Sequence, residues 1–101
     1  MKLYDVAKVI RSKNAGPFTL TLDLILESES DLQRVLDAPD FSESHIARIY
    51  LVDAQSVRIR PSRGILAIKV SLPRQVSSGA PGDSDVYGSQ QHFPLGNISI
   101  P

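Results

Sequence analysis

The nonapeptide FTLTLDLIL, residues 18–26, decides the fold of this chain. Phe18 and the leucines at every second position after it alternate with polar residues, and Ile25 is the exception. A period of two places one face of a β-strand on a core and the other largely toward water. We therefore expect a half-buried strand here. Residues 66–72 repeat the alternation, so a second strand should share the same core.

Two more strands are predicted beside these. Alternation in residues 57–60 leads into PSRG at residues 61–64, which is the turn chemistry of a hairpin joining this strand to the one that follows. Residues 6–11 satisfy both strand and helical spacing. The turn residues NAGP at positions 14–17 favour the strand, because they lead directly into Phe18.

Two helices fit between the strand pairs. The first is predicted to begin at Ser30, where Gln33 completes a capping box. The second is predicted to begin at Ser42, with Phe41 and Ile46 spaced as a hydrophobic staple. The order strand, strand, helix, helix, strand, strand indicates an α+β fold, an antiparallel sheet of about four strands with the helices on one face.

The composition changes after this core domain, which we assign to residues 1–72. Residues 73–101 hold four Pro, four Gly and five Ser, so no further regular structure is expected. The apolar residues of this segment are too few to offset the entropy of ordering it. We predict an extended C-terminal segment that docks on the core or on a partner.

Charge and composition restrict the partners. Eleven Lys and Arg balance eleven Asp and Glu, so the chain lacks the broad positive field of proteins that bind nucleic acid or anionic membranes non-specifically. Cysteine is absent, and no apolar run approaches the ~20 residues of a membrane span. We expect a cytoplasmic protein with no cofactor, no nucleic-acid partner and no membrane partner.

The first candidate site is the stretch RSKNAG, residues 11–16, predicted to be a turn. It combines two cations, two side chains able to bind an oxyanion and a flexible glycine, which is the inventory of an anion cradle. A solvated hairpin turn explains the same residues. The proposed anion-binding residues are Arg11, Ser12, Lys13, Asn14 and Gly16.

The second candidate site is the stretch GDSDVYGSQQH, residues 82–92. Carboxylates and an imidazole can transfer protons, and glycines let the backbone approach a ligand closely. Asp83, Asp85 and His92 are the candidate catalytic residues, and Gly82, Tyr87 and Gln91 are candidate binding residues. An Asx-rich surface loop is the competing interpretation. Asp83-x-Asp85 lacks the closing glutamate of a calcium loop, so no metal site is expected.

Residues 5–18, DVAKVIRSKNAGPF, and residues 82–92 together resemble an uncharacterised family of small stand-alone domains that accompany AtuA-like acyclic terpene utilization proteins. The N-terminal half is also distantly similar to the ferredoxin-like domain at the C-terminus of AtuA-like proteins. That domain carries Ala-Arg-Ser-Gly-Asp-Lys-Gly where this chain has residues 10–16, so Arg11, Ser12 and Gly16 carry over. The resemblance implies a ferredoxin-like fold, an AtuA-like partner and a role in catabolism of organic acids or acyl-CoA esters.

Three functions follow as hypotheses. The first is a small subunit or accessory domain of an AtuA-like enzyme that helps to bind an anionic substrate. The second is a self-contained lyase or isomerase with Asp, His and Tyr acid-base groups at the interface of a homo-oligomer. The third is a non-catalytic module that binds a small anionic metabolite. We further expect the two candidate sites to meet in space.

Overall fold

The computed structural model describes residues 1–16, 18–73 and 93–101. These residues form four helices and four strands, in which two pairs of consecutive strands are separated by two helices. In chain order they are α1 (Leu3–Val6), β1 (Val9–Asn14), β2 (Thr19–Ile25), α2 (Glu29–Asp37), α3 (Glu43–Tyr50), β3 (Arg58–Ser62), β4 (Ala67–Pro73) and α4 (Phe93–Gly96). Short 3₁₀ turns precede β3 (Ala54–Ser56) and follow it (Arg63–Ile65).

The strands form one antiparallel sheet in the order β1-β2-β4-β3. This confirms the predicted α+β fold with a four-stranded antiparallel sheet. Because β4 lies between β2 and β3, the unit β2-α2-α3-β3 is the split βαβ arrangement of ferredoxin-like domains. The fourth strand of the sheet, β1, precedes that unit in the chain.

The core lies between the inner face of the sheet and the helices. The alternation read from residues 18–26 is confirmed, because Leu20, Leu22, Leu24 and Leu26 are buried. The leucines share one apolar cluster with residues of all four helices. Phe18 is 63% exposed, because β2 begins one residue after it. No helix in the described part of the chain has the length and apolar character needed to cross a membrane.

The first and last residues of the chain are joined by backbone hydrogen bonds beside this core. Lys2 and Ser99 form an isolated antiparallel bridge. The Leu3 N–H donates to the Ile98 carbonyl at 2.8 Å, and the Ile100 N–H donates to the Met1 carbonyl at 2.6 Å. The C-terminal end of the chain therefore packs on the domain, where the side chains of Leu95, Ile98 and Ile100 are buried.

Two local predictions, the start of α2 and the end of regular structure, were wrong in detail, and the strand predicted in residues 6–11 is confirmed from Val9 onward. Helix α2 is capped by Ser28, whose hydroxyl accepts from the Asp31 N–H at 3.1 Å, two residues before the expected cap. Residues 3–6 form a helical turn before β1, so the ambiguous N-terminal segment contains both kinds of structure. Helix α4 adds regular structure after residue 72, with Pro94 in its first turn, where a missing N–H costs nothing. The start of α3 after Ser42 is confirmed.

Candidate functional site

The sheet face opposite the helices, here called the open face, carries an excess of positive charge. Its side chains come from every second residue of each strand, the positions between those that face the helices. Among the residues that the structure describes, five Lys and Arg lie on this face, whereas a single carboxylate lies there. The cations are Arg11, Lys13, Arg58, Arg60 and Lys69, and the carboxylate is Asp23.

Strand register arranges these charges in rows across the sheet. One row runs Arg11, Asp23, Lys69 and Arg60, because each residue is paired with the next on the neighbouring strand. The adjacent row runs Lys13, Thr21, Ser71 and Arg58. Positive side chains thus stand at both ends of this row, and the hydroxyl of the buried Thr21 between them donates to the Lys13 carbonyl at 3.3 Å. The exposed cations make the surface suited to a negatively charged ligand.

Lys69 and Arg60 are directly opposite each other on β4 and β3. Like charges in this position destabilise a sheet. Charges on edge strands commonly prevent aggregation, which accounts for Arg60 on β3. Lys69 is on an inner strand, where edge protection does not apply. The pair is therefore a local electrostatic cost, which Asp23, paired with Lys69 on the neighbouring strand, reduces.

The open-face cations have no carboxylate partner within the described residues. The ion pair found there within 4.0 Å joins Arg63 to Glu29 at 3.5 Å, on the helical side of the β3–β4 turn. Arg63 also donates to the Gln33 side chain at 2.6 Å. Within residues 1–16, 18–73 and 93–101, no three His, Asp or Glu side chains are grouped closely enough to hold a metal ion.

The first candidate site is divided by the structure. Residues 11–14 belong to β1 and not to a turn, because each pairs with β2. Strand alternation then places Arg11 and Lys13 on the open face, whereas Ser12 is buried on the opposite face. Asn14 ends the strand half-buried. Gly16 lies in the turn with a φ of 121°, a backbone conformation that favours glycine.

A family model described as "Domain of unknown function (DUF4387)" matches residues 3–99. The chain belongs to the DUF4387 family. The match confirms an uncharacterised family of small domains, and both candidate sites lie within it. No curated protein and no solved structure matches the chain.

The second candidate site lies outside the described residues. This applies to the proposed catalytic residues and binding residues alike, and to the expected meeting of the two sites. The residues concerned are Gly82, Asp83, Asp85, Tyr87, Gln91 and His92.

Sequence reasoning missed the part of this DUF4387 surface that comes from β4. The sequence predicts a strand at Lys69 but not that it shares a row with Arg11, because more than 40 residues, which include two helices and β3, separate β2 from β4. The sequence does contain a signal for this surface, namely the alternation of charged and apolar positions along β3 and β4. Arg58, Arg60 and Lys69 occupy the positions that alternate with Ile59, Ile68 and Val70, so they had to share one face of their hairpin.

Proposed function

We propose that this DUF4387 protein is a small subunit or accessory domain of an AtuA-like enzyme in the catabolism of organic acids or acyl-CoA esters. Its open face contributes to the binding of the anionic substrate. The single observation that carries the proposal is the segregation of charge, since the described residues place five cations and one carboxylate on one face of the sheet.

The chemistry of the open face supports binding over self-contained catalysis. Proton transfer needs a positioned acid or base, commonly a His or a pair of carboxylates. Within the described residues this face has Asp23 as its carboxylate and has no His. The face offers guanidinium and ammonium groups, which attract and orient an anion. A second protein would then supply the reacting groups.

The resemblance of residues 10–16 to the C-terminal domain of AtuA-like proteins supports the identity of that second protein. The shared Arg11 lies in the charged row of the open face. The partner is therefore expected to place its active site against this face.

Coexpression with an AtuA-like protein tests the proposal. We expect the two chains to elute as one complex, and we expect the Arg11→Gln and Lys69→Gln variants to raise the KM of the complex for an acidic substrate. Arg48→Gln is the matched control, since Arg48 is an exposed cation on α3. Separate elution, together with full activity of the large chain alone, would contradict the proposal.

A further inference from the structure

A depression of about 260 Å³ lies at one end of the open face. Its lining is charged on one side and apolar on the other. Arg11, Asp23 and Lys69 form the charged side, and Ile25, Ile65 and Ala67 form the apolar side. The volume is slightly below the ~300–1,000 Å³ of pockets for drug-sized ligands, so the depression fits a small molecule.

The register sets the distance between the two sides. Ile25 and Ala67 are paired across β2 and β4, two residues along from the paired Asp23 and Lys69. Two residues of a strand span about 7 Å. A ligand that contacts both sides therefore carries an aliphatic chain of a few carbons attached directly to its anionic group.

The net charge of the lining limits the charge of the ligand. Two cations and one carboxylate give the depression a single positive charge. The register puts Asp23 between Arg11 and Lys69, so even a monoanion held by both cations comes near this carboxylate. The two cations outweigh Asp23 for one negative charge, whereas the second charge of a dianion would be repelled without compensation. Arg11 presents a planar fork of donors that matches a carboxylate.

The turn that carries Ile65 is bonded to α2 through side chains. Arg63 ties this turn to α2 through Glu29 and Gln33. Leu66 adopts a left-handed conformation with a φ of 52°, an unfavourable backbone state for a leucine. Ile65 is thereby kept at the rim of the depression, where its side chain is 72% exposed.

We infer that this depression binds a short aliphatic monocarboxylate. Arg11 and Lys69 contact the carboxylate, and the chain of the acid lies against Ile25, Ile65 and Ala67. This inference deepens the proposed function, on which it rests for the anionic character of the ligand, by naming the substrate class.

Calorimetric titration of the purified chain with acetate, butyrate and hexanoate tests the inference. We expect the affinity to rise from acetate to butyrate by up to about fourfold per added methylene, since burial of each methylene is favourable. Succinate and inorganic phosphate should bind more weakly than butyrate. Arg11→Gln should weaken every acid, and Arg48→Gln should weaken none.

Ile65→Ser separates the apolar contact from the charge. Because Ile65 is exposed, the variant should fold normally, bind acetate as the original chain does and lose the preference for butyrate. Equal affinities for acetate and butyrate, or tighter binding of succinate, would overturn the inference. Such a result leaves the proposed function intact if the complex with the AtuA-like protein still forms and still depends on Arg11.

Discussion

Tyr50 is a half-buried residue whose pKa folding raises strongly. Its hydroxyl accepts the Leu95 N–H at 3.2 Å, which holds α4 against α3. Burial raises the pKa of Tyr50 far above its ordinary value of 10.0. The hydrogen bond from Leu95 lowers the pKa by a smaller amount, and the nearby Tyr4 raises it slightly. The phenol is therefore a neutral structural group.

The stability of the chain should fall above pH 10 because of Tyr50. Below pH 10 the phenol is neutral in the folded and unfolded states, so it adds no pH dependence. Above pH 10 it ionises in the unfolded state alone, which favours unfolding by up to about 1.4 kcal/mol per pH unit before solvent screening. Melting temperatures of the original chain and Tyr50→Phe, measured from pH 8 to 11, should diverge, with the variant less sensitive. Parallel curves would contradict this role.

Arg60 should cost stability and contribute to binding. Arg60→Gln removes the like-charge contact with Lys69, so the free energy of unfolding should rise by about 0.2–1 kcal/mol in low salt. The same variant should bind anions more weakly. Arg58→Gln is the matched control, because Arg58 faces the uncharged Ser71. A stability loss for Arg60→Gln would show that the charge pair is not a cost.

Gly96 marks close contact between two elements, α4 and α1. A Cβ at this position would overlap the ring of Tyr4. Gly96→Ala should therefore lower the free energy of unfolding by about 1–3 kcal/mol in denaturant titrations. In a Tyr4→Ala background the same substitution should cost much less. An equal cost in both backgrounds would place the effect elsewhere.

The elements that sequence reasoning found are those with a strong local signal. The leucines of β2 have a period of two, and Ser42 is followed by an apolar helical stripe, so both were located correctly. Ser28 and Ser30 are both competent caps, and their hydroxyls lie 3.1 Å apart. Capping by Ser28 makes α2 longer and places Glu29 in its first turn, where a negative charge stabilises the helix. The capping pattern in the sequence does not show which serine is favoured.

The candidate site was only partly predictable, because it is assembled by pairing between distant strands. Arg11 and Lys13 were identified from their own stretch of sequence, but their neighbours on β4 depend on tertiary register. Ile25 was noted as an exception to the alternation of β2. That exception is an apolar residue on the polar face, and it forms one wall of the depression.

At the scale of the whole molecule, the ends of the chain lie together and the sheet has ferredoxin-like order. A chain in which Pro101 is joined to Met1 by a short linker, and which is opened between residues 16 and 17, would begin with β2 and end with β1. We expect this circular permutant to fold with a similar circular dichroism spectrum.

A control permutant opened inside β4, between Ile68 and Lys69, should not fold, since it interrupts an inner strand. If both permutants were unfolded, the proximity of the chain ends would not be sufficient to allow the fold to form from a permuted chain.

The charged open face should be where the chain binds an anionic ligand, and this can be observed residue by residue. Backbone amide chemical shifts should be recorded while the chain is titrated with butyrate. We expect the shifts to change in β1, β2 and β4 around Arg11, Asp23 and Lys69, and Arg11→Gln to abolish the change. No change, or a change confined to the helical side, would contradict it.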